Sequence, residues 1–211
     1  MKTILIYSGG LDSTALLYKL HAEGDKVHCL SFDYGQRHKK ELLAAQKICK
    51  KLKVSHQIVN ITAVKNLMQG SSLTSPIKVP EGHYRAKTMR STVVPNRNMI
   101  FLALAIAQSV SQKFDRVAMA VHAGDHAIYP DCRPAFIKTM QAAARVANYQ
   151  KIGIYTPFLR LTKGQIAQIG KKLKVPFEET WTCYKGLKNP CGKCGACVER
   201  QEALSYNPRK S

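Results

Sequence analysis

Two groups of residues in this chain have types and spacings suited to chemistry. The first is Tyr7-Ser8-Gly9-Gly10-Leu11-Asp12-Ser13-Thr14, set between an apolar run at 3–7 and an amphipathic segment from Ala15. That layout reads as strand, glycine turn, helix. Gly9 and Gly10 remove side-chain bulk, and Ser8, Ser13 and Thr14 bring hydroxyls to one turn. Backbone N–H groups at a helix start, together with the helix dipole, bind an anion, here a phosphate. A bare Gly-Gly would fit a ligand-free turn equally well, but the longer run with its hydroxyls favours phosphate. The Walker pattern needs a lysine after the turn and the dinucleotide fingerprint needs Gly-x-Gly-x-x-Gly; neither is present. Asp12 either caps the helix or helps to hold a magnesium ion. The missing lysine calls for a cation elsewhere, and Lys163 and Arg97 are the candidates.

The second group is Cys183, Cys191, Cys194 and Cys197, four thiols within fifteen residues. With no secretion signal in the sequence, metal binding is a better reading than a disulfide framework. Four thiolates close a tetrahedral zinc site, and the glycines after Cys191 and Cys194 let the backbone turn around the ion. A bacterial iron–sulfur spacing would place a further cysteine at position 201, where Gln201 stands. No ligand position is left open, so the zinc is expected to be structural, clamping the tail onto a sheet. Cys29 and Cys49 fall at apolar-periodic positions and read as core. Cys132 is given no catalytic role.

The elements that must position these groups follow from periodicity. Short apolar runs at 3–7, 27–32, 57–61, 116–121 and 152–155 read as strands. Segments 13–22, 39–52, 99–110, 134–148 and 162–173 read as helices, with Thr162 as an N-cap. Strands alternating with helices of this length imply parallel pairing and right-handed crossovers. The expected fold is α/β, doubly wound, with about five parallel strands in one domain over 1–211. Ligands in such sheets lie beyond the carboxyl ends of the strands, where the Ser8 turn, residues 32–35, His122–Asp125 and the 156–163 loop converge. Residues 62–94 lose all pattern and read as a lid or a partly unstructured excursion. The cysteine-rich excursion spans about 178–204 and ends in a short helix near 198–204.

The chain has 211 residues, enough for one substantial core. No apolar run approaches the ~20 residues of a membrane span, and a cytoplasmic protein is expected. The anomaly is charge: 33 Lys and Arg against 13 Asp and Glu give +20. The densest patch is Arg37, Lys39, Lys40, Lys47, Lys50, Lys51 and Lys53. It is either a solvated helix face around Leu42, Leu43, Ile48 and Leu52 or a nucleic-acid surface.

The turn resembles the pyrophosphate loop of ATP pyrophosphatases, the fold of adenine nucleotide alpha hydrolases. With the cysteines included, the chain resembles the 7-cyano-7-deazaguanine synthase family nearly end to end. The segments that carry this resemblance are 8–14, 32–36, 94–98, 122–123, 129–134 and 181–186, followed by the cysteines. The resemblance implies that 7-carboxy-7-deazaguanine, ammonia and ATP give 7-cyano-7-deazaguanine through an activated carboxylate and an amide, for queuosine or related deazapurines. It also implies structural zinc and a homodimer. The nucleotide site is then expected at Tyr7, Ser8, Gly9, Gly10, Leu11, Asp12, Ser13, Thr14, Ala15, Leu16 and Leu17, with Ser8, Asp12, Ser13 and Lys163 acting on the phosphates. Arg97, Asp131 and Arg133 are the expected substrate contacts: Asp131 for the guanine-like N–H groups, Arg133 for the carboxylate. The alternatives are an amide-forming ligase of the same fold, a tRNA-modifying pyrophosphate-loop enzyme, and a non-catalytic zinc module that binds nucleic acid.

Overall fold

A computed structural model describes residues 1–208. Five parallel strands, β1 (Lys2–Ile6), β2 (Lys26–Asp33), β3 (Ser55–Asn60), β4 (Arg116–Ala118) and β5 (Gly153–Tyr155), lie in the order β3-β2-β1-β4-β5. Thr3 pairs with Val27 on one side and Arg116 on the other, so β1 is central. The crossovers run through α1 (Leu11–Ala22), α2 (Lys40–Leu52), α3 (Arg97–Ser111) and α4 (Pro134–Val146). After β5 come α5 (Lys163–Lys172) and α6 (Gly195–Ser205).

Alternation along the strands divides the core. Ile4, Leu30, Phe32 and Val117 face α3 and α4, against Phe101, Leu102 and Ile137. Leu5, Cys29 and Ala118 face the other way, against Leu16 and Leu17 of α1, Ile48 of α2 and Ile166 of α5. Each such fully buried aliphatic side chain contributes roughly 1.5–3 kcal/mol of transfer free energy, so both faces are firmly covered and the sheet is a rigid platform. Strand order reverses between β1 and β4, which opens a crevice at their carboxyl ends.

The expected elements are present, with shifts at their ends. Helix α1 begins at Leu11, immediately after the glycines, and α6 begins at Gly195, within the cysteine cluster. Thr162 caps α5 in a full capping box with Gln165. On α2, Leu42 and Ile48 are buried but Leu43 is 63% exposed, so it belongs to the solvated face and not to the apolar stripe. The lysines there are partly engaged: Lys47 and Lys51 pair with Glu179, and Lys39 with Asp33.

Segment 62–94 is packed. It holds two 3-10 helices, Thr62–Met68 and Lys87–Thr92, and buries Met68, Leu73, Val79 and Met89. The Arg37 guanidinium fastens it by donating to the carbonyls of Ser72, Ser75 and Ile77. The cysteine-rich tail clamps this segment and α5, where the sequence suggested the sheet. Glu81 bridges to Cys194, Gly82 N–H donates to the Lys193 carbonyl, and Lys171 reaches the Leu204 carbonyl.

Candidate active site

A cavity of about 250 Å³ opens at the β1/β4 crevice. Its floor is the turn after β1. Gly9 has φ +74°, and a Cβ on it would lie 2.4 Å from the Glu41 carbonyl oxygen, so only glycine lets the turn pack on α2. The Ser8 hydroxyl lies 3.0 Å from that of Ser13 and accepts from Gly10 N–H at 3.3 Å. Gly10 is the N-cap of α1 and has no side chain to cap the first turn. The N–H groups of that turn therefore face the cavity with the positive end of the helix behind them.

Beside the turn stands a charged cluster drawn from four parts of the chain. The Lys163 ammonium lies 2.6 Å from Glu199 Oε2 and 3.2 Å from Asp12 Oδ2. Burial pulls the Lys163 pKa down, but Asp12, Glu199 and Asp125 outweigh it and hold the ammonium above the usual lysine range. His122, 1% exposed, accepts Gly124 N–H on Nδ1, which leaves Nε2 facing Asp125 at 3.4 Å and Asp12 at 3.8 Å. Burial raises the Asp125 carboxyl, opposed by His122 and Lys163. Asp12 Oδ1 is buried with no hydrogen-bond donor, an acceptor left over for a ligand or a hard cation.

The far end of the cavity is aromatic, with one cation and one acid. Phe32 stacks on Phe101 at 4.2 Å, and Tyr34, Tyr129 and Tyr184 complete the walls there, while Trp181 lines the cavity beside the turn. Arg97 lies among the three tyrosines. Glu41 accepts from Gln36 at 3.3 Å, and burial, against the pull of Arg97, pushes its carboxyl up to about 7.

The four cysteine sulfurs lie within 4.8 Å of one another. Sulfurs around a tetrahedral zinc at 2.3 Å would stand about 3.8 Å apart, and Cys191 and Cys197 are already at 3.9 Å. Cys191 N–H points at the Cys183 sulfur and Cys194 N–H at the Cys191 sulfur. Burial raises the Cys191 thiol, but the backbone N–H groups of Cys194 and Lys193 bring it down to about 7. This donor set fits a soft-ligand metal such as zinc.

Of the residues singled out from sequence, Tyr7, Ser8, Gly10, Leu11, Asp12, Ser13, Arg97 and Lys163 line the cavity. Gly9 shapes the turn from beneath. Thr14 turns inward to the Tyr7 hydroxyl at 3.2 Å, and Ala15, Leu16 and Leu17 are core. Asp131 and Arg133 lie outside the cavity. Asp131 accepts Asn98 N–H at 3.1 Å at the start of α3, and the exposed Arg133 donates to the His126 carbonyl. Cys132 between them does line the cavity; it accepts from the Asn98 side chain, and burial raises its thiol.

Glu41, Trp181 and Glu199 are site residues that sequence reasoning did not find. Glu41 is hidden in a run that reads as a solvated helix. Trp181 and Glu199 flank the cysteines and became visible only once the tail folded back, with Trp181 N–H donating to the Gly9 carbonyl at 3.0 Å.

A doubly wound parallel sheet with an uncapped Ser-Gly-Gly-x-Asp-Ser turn, an acid–lysine cluster beside it and a cysteine tetrad defines an α/β enzyme of the pyrophosphate-loop class. Residues 2–207 match the family model described as "Queuosine biosynthesis protein QueC". The chain belongs to the QueC family. A 7-cyano-7-deazaguanine synthase of Hahella chejuensis is 52% identical over 206 residues, covering 98% of this chain and 89% of that protein. One from Colwellia psychrerythraea is 50% identical over 206 residues, covering 98% and 94%. Among solved structures, the U34-tRNA thiolase NcsA from Methanococcus maripaludis, described with a [4Fe-4S] cluster, superimposes with TM-score 0.54 at 14% identity. That match spans 97% of this chain and 64% of the thiolase. NMN synthetase from Francisella tularensis gives 0.52 at 14% identity over 97% and 73%. At such identities these two speak for the fold alone. No described helix is long and apolar enough to cross a membrane.

Proposed function

We propose that the cavity carries out the ATP-dependent conversion of 7-carboxy-7-deazaguanine and ammonia to 7-cyano-7-deazaguanine. ATP places its β- and γ-phosphates on the turn of Ser8, Gly9, Gly10 and Ser13, against Lys163. Asp12 would hold a magnesium ion through its free oxygen. The deazapurine lies between the aromatic walls, and Arg97 meets its carboxylate. Asp131 acts at one remove, holding the start of α3 from which Arg97 projects. Arg133 is left without a substrate role in this reading. Zinc on Cys183, Cys191, Cys194 and Cys197 is structural.

The chemistry explains the parts. A carboxylate is a poor electrophile. Its oxygen attacks the α-phosphorus, pyrophosphate leaves, and ammonia then displaces AMP from the acyl adenylate to give the amide. Repeating the activation on the amide oxygen releases a second pyrophosphate, and loss of AMP, which carries away that oxygen, and of both N–H protons leaves the nitrile. Ser8, Ser13 and Lys163 stabilise the departing pyrophosphate, and the apolar aromatic walls disfavour water beside the adenylate. The observation that carries this reading is the uncapped turn with Lys163 and Asp12 beside it at one end of a cavity whose other end holds Arg97.

Purified protein given ATP, ammonia and the free carboxylate should release two AMP per nitrile, read by mass. An amide as the final product would reduce the activity to a single activation. No ATP-dependent consumption of the free base would end the reading in favour of a polynucleotide substrate.

A further inference from the structure

We propose that Glu199 is a positioning residue through which the four-cysteine segment sets the lysine of the phosphate site. This inference rests on the reading that Lys163 meets the phosphates of ATP.

Helix α6 starts inside the metal cluster: Cys194 is its N-cap and Cys197 lies in its first turn. Glu199 follows two residues later, about 200° around the helix from Cys197. One face of this turn looks back at the sulfurs and the other looks into the cavity, which Glu199 lines at 8% exposure. One carboxylate oxygen is bonded and the other is packed: Oε2 accepts from Lys163 at 2.6 Å, and Oε1 lies close against Gly124, where a Cβ would meet it at 3.0 Å. Arg200 fixes the rotation of α6 by donating to Thr180 at 2.7 Å and Thr182 at 2.9 Å.

An ammonium has three N–H donors. Glu199 and Asp12 are in reach of two, which directs the third towards the turn. The side chains of Lys163 and Glu199 are each 10% exposed, so this is a desolvated contact and not a surface pair. Asp12 still balances the charge when Glu199 is removed. What is lost is the direction of the ammonium, and misplacing a phosphate donor by an ångström costs ~100-fold.

The test is Glu199→Ala and Glu199→Gln, each in the wild type and in Lys163→Ala, in the full chain loaded with zinc. Metal content, ATP affinity by calorimetry, kcat and both KM values are measured. Glu199→Ala should keep one metal per chain and a KM for the deazapurine within about twofold of wild type. Its kcat/KM for ATP should fall by roughly 10- to 100-fold, with partial recovery in Glu199→Gln, which keeps an acceptor. In Lys163→Ala, removing Glu199 should cost nothing further. A loss of the same size in both backgrounds, an unchanged Glu199→Ala, or a loss that tracks metal content would each overturn the proposal. If Lys163→Ala alone retains wild-type kinetics, the phosphate role of Lys163 fails first and this inference falls with it.

Discussion

At the scale of single residues, a backbone shape at Gly9 and the raised carboxyl of Glu41 each give the site a measurable signature. Gly9→Ala would force a Cβ against the Glu41 carbonyl at 2.4 Å and the Ala45 nitrogen at 2.7 Å, at a positive φ. Both neighbours are helix backbone and cannot yield, so the turn must move. We expect a loss of about 2–4 kcal/mol in denaturant unfolding, together with loss of ATP binding by calorimetry. Retention of wild-type ATP affinity would contradict the packed-turn account. Glu41 gives a pH signature. Its carboxyl sits at about 7 in the fold against 4.5 ordinarily. Between those values the folded chain keeps a proton that the unfolded chain releases, so this group's contribution to stability falls as pH rises through that window. Glu41→Gln removes the dependence. From pH 5 to pH 8 the variant should gain on the wild type by ~2 kcal/mol in urea unfolding; a constant difference between the two would refute the assignment.

At the scale of elements, the cysteine tetrad governs more than its own loop. Glu81 and Gly82 pair with the strip at 193–194, and a Cβ on Gly195 would lie 2.7 Å from the Met89 sulfur. Removing the metal, by chelator or Cys194→Ser, should loosen both the tail and 79–89 while leaving the sheet core intact. Hydrogen exchange should show protection lost in 79–94 and 181–205 and kept in β1, β2 and α1. Uniform loss throughout the chain would mean that the tetrad supports the whole fold. This coupling also explains what the sequence left unread. The strands, the capped α5 and the turn were legible because period, capping and glycine placement are local signals: Ile4 and Leu5 alternate, and Thr162 and Gln165 stand three apart. Segment 62–94 read as pattern-free because its order comes from distant partners, Arg37 and the 193–195 strip, which have no period to detect. Asp131 and Arg133 are expected as substrate contacts through the family resemblance of segment 129–134, which says nothing of where their side chains turn. In the fold Asp131 accepts the Asn98 N–H in the first turn of α3, and Arg133 donates to the His126 carbonyl.

At the scale of the whole molecule, the unexplained feature is the +20 charge. Several of the 13 acids are engaged locally: Asp33 by Lys39, Glu179 by Lys47 and Lys51, Asp25 by Arg116, and Asp12 and Glu199 by Lys163. Most of the lysines face solvent and set a positive field around a cavity whose substrates, ATP and a carboxylate, are anions. Such a field speeds encounter and is screened as the Debye length shrinks from roughly 20 to 7 Å between about 20 and 200 mM salt. The expected outcome is a fall in kcat/KM for ATP of roughly 3- to 10-fold over that range, with kcat nearly constant, because Lys163 and Asp12 are too buried to be screened. A nucleic-acid surface would behave differently: tRNA added at low salt would bind with a steep inverse dependence on salt and compete with ATP. Stopped-flow ATP binding and tRNA titration at the same salt points separate the two. A salt-independent kcat/KM would show that the charge does not steer ATP, and without tRNA binding it would leave the lysine surplus with no part in catalysis.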